Sequence, residues 1–285
     1  MVAILLALCS AVAWGLSDFV AGLTSRRTTA WAVAFVSNTT ASVCTVALAF
    51  TASGSPSAAS FAWATLAGVG EGLGTGFLYR GFATGRISLV APVSAVSAAV
   101  LPVLVGVASG ERPGLLVWLG IAAAMPGIWL VSGAADPAEP AEPGGLGRAL
   151  PPGLVDALLA GLGFGIMFTG LGQVPAHAGL WPLAVSQVVT VPAAILLAVV
   201  LGSAWVPRSR PAWWAVLAGL LAGAGTFTFL LATQRGYLTV AAVLSSLYPA
   251  TTVLLAALVL RERINRGQGL GLWFCALSVA LVAAG

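Results

Sequence analysis

The chain alternates long apolar runs with short polar breaks. Ten such runs occur, at roughly 2–23, 30–51, 61–80, 88–108, 114–132, 153–172, 180–202, 212–232, 239–260 and 267–284. A bilayer core about 30 Å thick needs about 20 apolar residues per helix, which each run supplies. Strands of a membrane barrel would be about 10 residues long and would alternate in polarity; these runs are longer and apolar on all sides. The pattern predicts an all-α membrane protein with ten transmembrane helices. Breaks such as Ser25-Arg26-Arg27-Thr28, Ser53-Gly54-Ser55-Pro56, Gly110-Glu111-Arg112-Pro113 and Pro207-Arg208-Ser209-Arg210-Pro211 mark the connections. The first run lacks a basic leader and contains Asp18, so it is expected to be a retained helix, not a signal peptide.

The longest polar stretch, 133–152, carries Pro, Gly and the acids Asp136, Glu139 and Glu142. Such a composition cannot build a packed core and predicts a solvated linker. It separates a first block, 1–132, from a second, 153–285, with five runs in each.

The two blocks match along their length. At an offset of 151, Gly110-Glu111-Arg112 falls on Arg261-Glu262-Arg263, and Gly68, Gly72, Gly74 and Thr75 fall on Gly219, Gly223, Gly225 and Thr226. Ser94 falls on Ser245 at the same offset, and at 150 Trp14-Gly15 falls on Phe164-Gly165. Near-constant offsets across a whole block predict a duplication. Five crossings per copy is an odd number, so the second copy starts on the opposite side of the membrane. Two inverted five-helix repeats are the architecture of alternating-access carriers. The bland alternative is a duplicated scaffold with no pathway.

Composition narrows the class further. Hydrophobic residues make up 59% of the chain and charged residues only 7%, against about 25% charged in soluble domains. A cytosolic enzyme, a disordered chain and a nucleic-acid binder are excluded on this ground. The net charge of +4 comes entirely from Arg on the basic side. Cys9, Cys44 and Cys275 all lie in apolar runs and form neither a disulfide framework nor a metal spacing. No zinc-protease motif, nucleophile elbow, P-loop lysine or carbonyl filter is present. The expectation is a protein that is not an enzyme and uses no cofactor or metal.

Several of these features together resemble the drug/metabolite transporter superfamily, EamA type. They are Trp14-Gly15 followed by Asp18-Phe19, the Gly-rich third run, and Ser88-Leu89-Val90-Ala91-Pro92-Val93 leading into Gly110-Glu111-Arg112. The second block ends similarly, with Leu258-Val259-Leu260-Arg261-Glu262-Arg263 before a Gly-rich last run. The resemblance covers essentially the whole chain. It implies proton- or exchange-driven movement of small organic solutes held in a central cavity, with export the expected direction. A multi-pass protein of the plasma (inner) membrane is implied, as monomer or homodimer, its partners being the lipid bilayer, a small-molecule substrate and protons. The other classes weighed are an intramembrane enzyme or lipid-handling protein and a non-transporting scaffold.

Polar groups inside the hydrocarbon are expensive and usually functional. Asp18 and Glu71 are the two acids well inside a run, and their partners in the second block are Phe168 and Ala222. They are the candidate proton and substrate groups. Trp14 and Phe164 are matched aromatics that would wall the cavity. Ser17, Ser94, Ser97, Ser245, Ser246, Tyr248, Gln187 and Gln234 are candidate solute hydrogen-bonders, although hydroxyls in membrane helices often bond their own backbone. Arg235 and Tyr237 are expected at an interface, His177 in a solvated loop, and Glu111-Arg112 and Glu262-Arg263 in turns. Gly68, Gly72 and Gly76 form one small-residue ridge and Gly219 and Gly223 another, suited to close helix packing.

Orientation is contested within the sequence. The side reached after the first helix holds Arg26, Arg27, Arg80, Arg86, Arg148, Arg208, Arg210, Arg261, Arg263 and Arg266; the other holds Arg112 and Arg235. The positive-inside rule then puts both termini outside, whereas the family resemblance implies termini inside.

Overall fold

A computed structural model describes residues 1–25, 27–84, 87–133, 152–259, 261 and 264–285. Most of the expected linker, together with Arg26, Arg86, Arg148 and Glu262-Arg263, lies outside the described residues; Gly133 ends a helix instead of opening the linker. Every regular element among the described residues is helical: α1 (Val2–Ser25), α2 (Ala30–Ala49), α3 (Ala58–Thr84), α4 (Ile87–Ala108), α5 (Leu115–Gly133), α6 (Leu154–Gly172), α7 (Trp181–Val200), α8 (Ala215–Thr233), α9 (Leu238–Ser245), α10 (Tyr248–Val259) and α11 (Arg266–Ala284). Helix starts follow from local chemistry. The Thr29 side chain accepts from Ala32 N at 3.2 Å and caps α2. Asn265 and Gln268 cap α11 reciprocally, at 2.9 and 3.1 Å.

Among the described residues, seven segments are long and apolar enough to cross a membrane: 2–25, 30–49, 154–172, 181–200, 210–233, 238–259 and 266–284. Shorter apolar helices run over Val93–Ala108 and Leu115–Val131. The third run extends beyond its expected bounds into the 27-residue α3, which at 1.5 Å per residue is about 40 Å long. Arg80 therefore sits on a helix and not in a connection.

The ninth run is not one continuous helix. It breaks at Ser246-Leu247, where Leu247 N turns back to Leu244 O at 3.2 Å. Pro249 has no N–H to continue the ladder of α9 and falls in the first turn of α10.

Helices pack crosswise between the blocks. α1 lies on α8 and α3 on α6; α2 lies on α8 and α3 on α7; α4 lies on α6, while α1 meets both α9 and α10; α2–α7, α4–α9 and α5–α11 also pack across the blocks. Exchanging the two blocks maps this set of pairs onto itself. Glycines set the distances. A side chain on Gly68 or Gly72 would drive into the α7 backbone, and on Gly76 into Leu197. One on Gly219 would strike the Ser37 carbonyl of α2. Gly223 departs from its expected role: an added Cβ would meet Ala41 at 3.5 Å, an ordinary contact. α3 also has a second glycine face, Gly70 and Gly74, against Gly163 of α6.

Connections meet across the blocks too. Ser55 N, after α2, donates to His177 O, after α6, at 2.9 Å. Ser209, after α7, and Thr28, after α1, share a hydrogen bond of 2.8 Å. The turn after α4 is left-handed at Gly110 (φ 96°), and its counterpart after α10, Arg261, is left-handed as well (φ 56°).

Candidate solute cavity

The crosswise packing leaves a cavity of about 90 Å³ between the blocks. At roughly 10–15 Å³ per water on this measure, it has room for several waters or one small solute. α1 contributes Trp14, Ser17 and Asp18, α2 contributes Ser37 and Asn38, and α3 contributes Glu71, Thr75 and Leu78. Ala98 of α4, Phe164, Met167 and Phe168 of α6, Ala222 of α8 and Tyr248 of α10 close it. Two carboxyls thus face one space, and none of the described residues lining it is basic.

The carboxyls differ in setting. Glu71 is 8% exposed. Its Oε2 accepts from Gln187 Nε2 at 2.8 Å and from Thr190 Oγ1 at 3.2 Å, both on α7. Among the described residues no cation pairs with it; the ion pair present joins Arg80 to Asp156 at 2.5 Å, tying the end of α3 to the start of α6. Asp18 is exposed and has no hydrogen-bond or ion-pair partner among the described residues. It sits one helical turn after Trp14, so both side chains share a face of α1.

The aromatics obey the block exchange. The Trp14 ring covers Gly225 of α8, where an added Cβ would come within 2.7 Å of it; Phe164 covers Gly74 of α3, with 3.0 Å to an added Cβ. Each block's first helix therefore lays an aromatic on a glycine of the other block's third helix. Trp14 also packs on Phe168 and Phe229, with centroids 5.5 and 5.9 Å apart.

Of the residues expected at the site, Glu71, Asp18, Trp14, Phe164 and Tyr248 line the cavity. Ser94 stands behind it, fully buried and hydrogen-bonded to the Tyr248 phenol. Ser245 and Gln234 lie elsewhere: Ser245 donates to Ala7 O at 3.3 Å and ties α9 to α1, while Gln234 ends α8 and donates to Val174 O at 3.4 Å. Ser17 lines the cavity, but its hydroxyl is committed to Ala218 O at 2.9 Å, and Ser246 bonds back to Ala242 O at 2.9 Å. His177 is exposed in a short 3-10 turn, as a loop residue should be. Glu111 does more than mark a turn. Its carboxylate accepts from Leu238 N, from Thr239 N at 3.0 Å and from the Thr239 hydroxyl, capping the start of α9.

Sequence reasoning missed Asn38, Ser37, Thr75, Phe168 and Met167. A signal existed for Asn38, an amide inside an apolar run, and for Phe168, the repeat counterpart of Asp18.

The model of the EamA-like transporter family matches residues 1–133 and 151–284, two blocks that together take in nearly the whole chain. A solved structure described only as a crystal structure of a protein superposes with a TM-score of 0.75 at 18% identity, covering 99% of this chain and 96% of its own. A likeness at that identity carries the fold alone. No curated protein matches this sequence.

Proposed function

The chain belongs to the EamA-like transporter family, and on that premise we propose that it is a secondary transporter, an exporter, that carries a small organic solute through this cavity in exchange for protons. The observation that carries the reading is a cavity walled by helices of both blocks and holding two carboxyls that no basic side chain among the described residues pairs with. A site between two blocks opens to either side when one block tilts against the other.

Ten crossings in two inverted five-helix repeats, 1–132 and 153–285 joined by 133–152, suit this cycle. The crosswise helix pairs and the paired connections Ser55–His177 and Thr28–Ser209 support that arrangement. Glu71 is the proton carrier. Protonated, it bonds to Gln187 and Thr190 without a net charge in the hydrocarbon. Releasing the proton leaves a charge beside α7 and changes how firmly α3 holds that helix. Asp18, without a hydrogen-bond or ion-pair partner among the described residues, is left to meet the solute.

The test is flux in proteoliposomes with and without a pH gradient. Glu71→Gln should cut gradient-driven flux at least about tenfold, within the usual range of coupling energies, while solute–solute exchange persists. Gradient-driven flux that survives intact in both Glu71→Gln and Asp18→Asn removes these carboxyls from proton coupling.

A further inference from the structure

We propose that the cavity takes a small organic monocation bearing a hydrogen-bond acceptor, its charge set against Asp18 and its acceptor against the Asn38 amide. This rests on the transporter reading above and names the solute class that such a carrier would move.

Three observations converge. Asp18 lines the cavity with no partner among the described residues. A carboxylate facing a cavity lined largely by apolar and aromatic side chains is stabilised by a cation set beside it. Glu71 cannot serve the same end as readily, because its Oε2 is already engaged by α7. Second, Trp14, Phe164, Phe168 and Tyr248 surround the same space. Aromatic faces attract a cation placed within about 6 Å of the ring. Third, Asn38 is 9% exposed, lines the cavity, and its Nδ2 has no hydrogen-bond partner among the described residues. A buried N–H without an acceptor is rare in folded proteins. A hydroxyl or carbonyl oxygen on the solute would satisfy it.

These features select against the alternatives. An anion would meet two carboxyls and, among the described residues, no basic side chain. A neutral solute would leave Asp18 unpaired. A cation without an acceptor would leave the Asn38 amide unsatisfied. The cavity of about 90 Å³, with room for several waters, suits a small solute.

The experiment uses the full chain in lipid nanodiscs and three isosteric probes followed by calorimetry. Choline has both charge and hydroxyl. 3,3-Dimethylbutan-1-ol keeps the hydroxyl and loses the charge. Trimethylpropylammonium keeps the charge and loses the hydroxyl. Choline should bind at least about tenfold more tightly than the neutral alcohol. Asp18→Asn should erase that preference and Asp18→Glu should retain it, which separates a lost charge from a lost fold. Asn38→Ala should weaken choline about fivefold and leave trimethylpropylammonium unchanged. The proposal is overturned if the neutral alcohol binds as tightly as choline, if choline does not bind, or if Asn38→Ala weakens both cations equally. Gradient-driven flux of some other solute without choline binding would sink the solute class and leave the transporter standing. A chain that moves no solute would sink the transporter itself, whatever it binds.

Discussion

At the scale of single residues, the two cavity carboxyls and a third at a helix start show how placement decides what an acid does. Glu71 is held by two donors from one helix, Gln187 and Thr190. Gln187→Leu keeps the volume but removes the 2.8 Å donor, leaving a buried carboxyl short of a partner. That should cost about 1–3 kcal/mol, read as a lowered midpoint of thermal unfolding in detergent, and it should also disturb gradient-driven flux. Glu111 lies in a connection, yet its carboxylate satisfies the first backbone N–H groups of α9. Those groups have no partner within the helix itself, and a negative charge there also complements the helix dipole. Glu111→Ala should therefore destabilise the protein by about 1–2 kcal/mol, and Glu111→Gln by less, since its carbonyl oxygen still accepts. Equal midpoints for Glu111→Ala and the parent chain would show that the cap contributes nothing. The sequence marked Glu111 only as part of a turn, because the N–H groups it serves lie more than 120 positions along the chain.

Individual helices were legible in the sequence to different degrees. Runs that pack apolar faces against lipid or neighbours became helices near their expected bounds. The ninth run is one candidate span, 238–259, but not one regular helix, because hydropathy does not see backbone donors: Pro249 is apolar enough to continue the run yet lacks the N–H that would continue the ladder. The glycine ridges were legible as ridges, but not in their partners. Spacing cannot say which Gly touches a backbone and which touches a side chain. The neighbours separate Gly219 from Gly223. A methyl on Gly219 meets the Ser37 carbonyl, part of a helix that cannot yield without moving α2. A methyl on Gly223 finds ordinary contact distance and also favours the helix by up to about 1 kcal/mol. Gly219→Ala should lower the unfolding midpoint and Gly223→Ala should leave it unchanged or raise it. If both variants fell equally, the close approach of α8 to α2 at Gly219 would not be what separates them.

On the scale of the whole molecule, the cavity exists because neither block packs mainly on itself. The matched aromatics Trp14 and Phe164 were visible in the sequence; the glycines they cover, Gly225 and Gly74, belong to opposite blocks and only the fold pairs them. The same crossing explains why Asn38 escaped notice: it faces the cavity from α2, whose run gave no repeat match there. The proposed inversion makes a sharp demand on the connections. With five crossings per block, the stretch after the second helix and the stretch after the sixth must share one side, as the Ser55–His177 hydrogen bond requires. The stretches after the first and seventh helices must share the other, as Thr28 and Ser209 require. Single cysteines at these four positions, in a chain whose Cys9, Cys44 and Cys275 are replaced by Ala, can be labelled in intact cells with a membrane-impermeant maleimide. Ser55→Cys and His177→Cys should react alike, and Thr28→Cys and Ser209→Cys should react alike and oppositely. Arginine placement predicts that the first pair faces outward. Labelling of the second pair alone would reverse only the orientation, in line with what the family resemblance implies. Opposite behaviour within either pair would break the inverted repeat, and with it the basis for a cavity that opens alternately to the two sides.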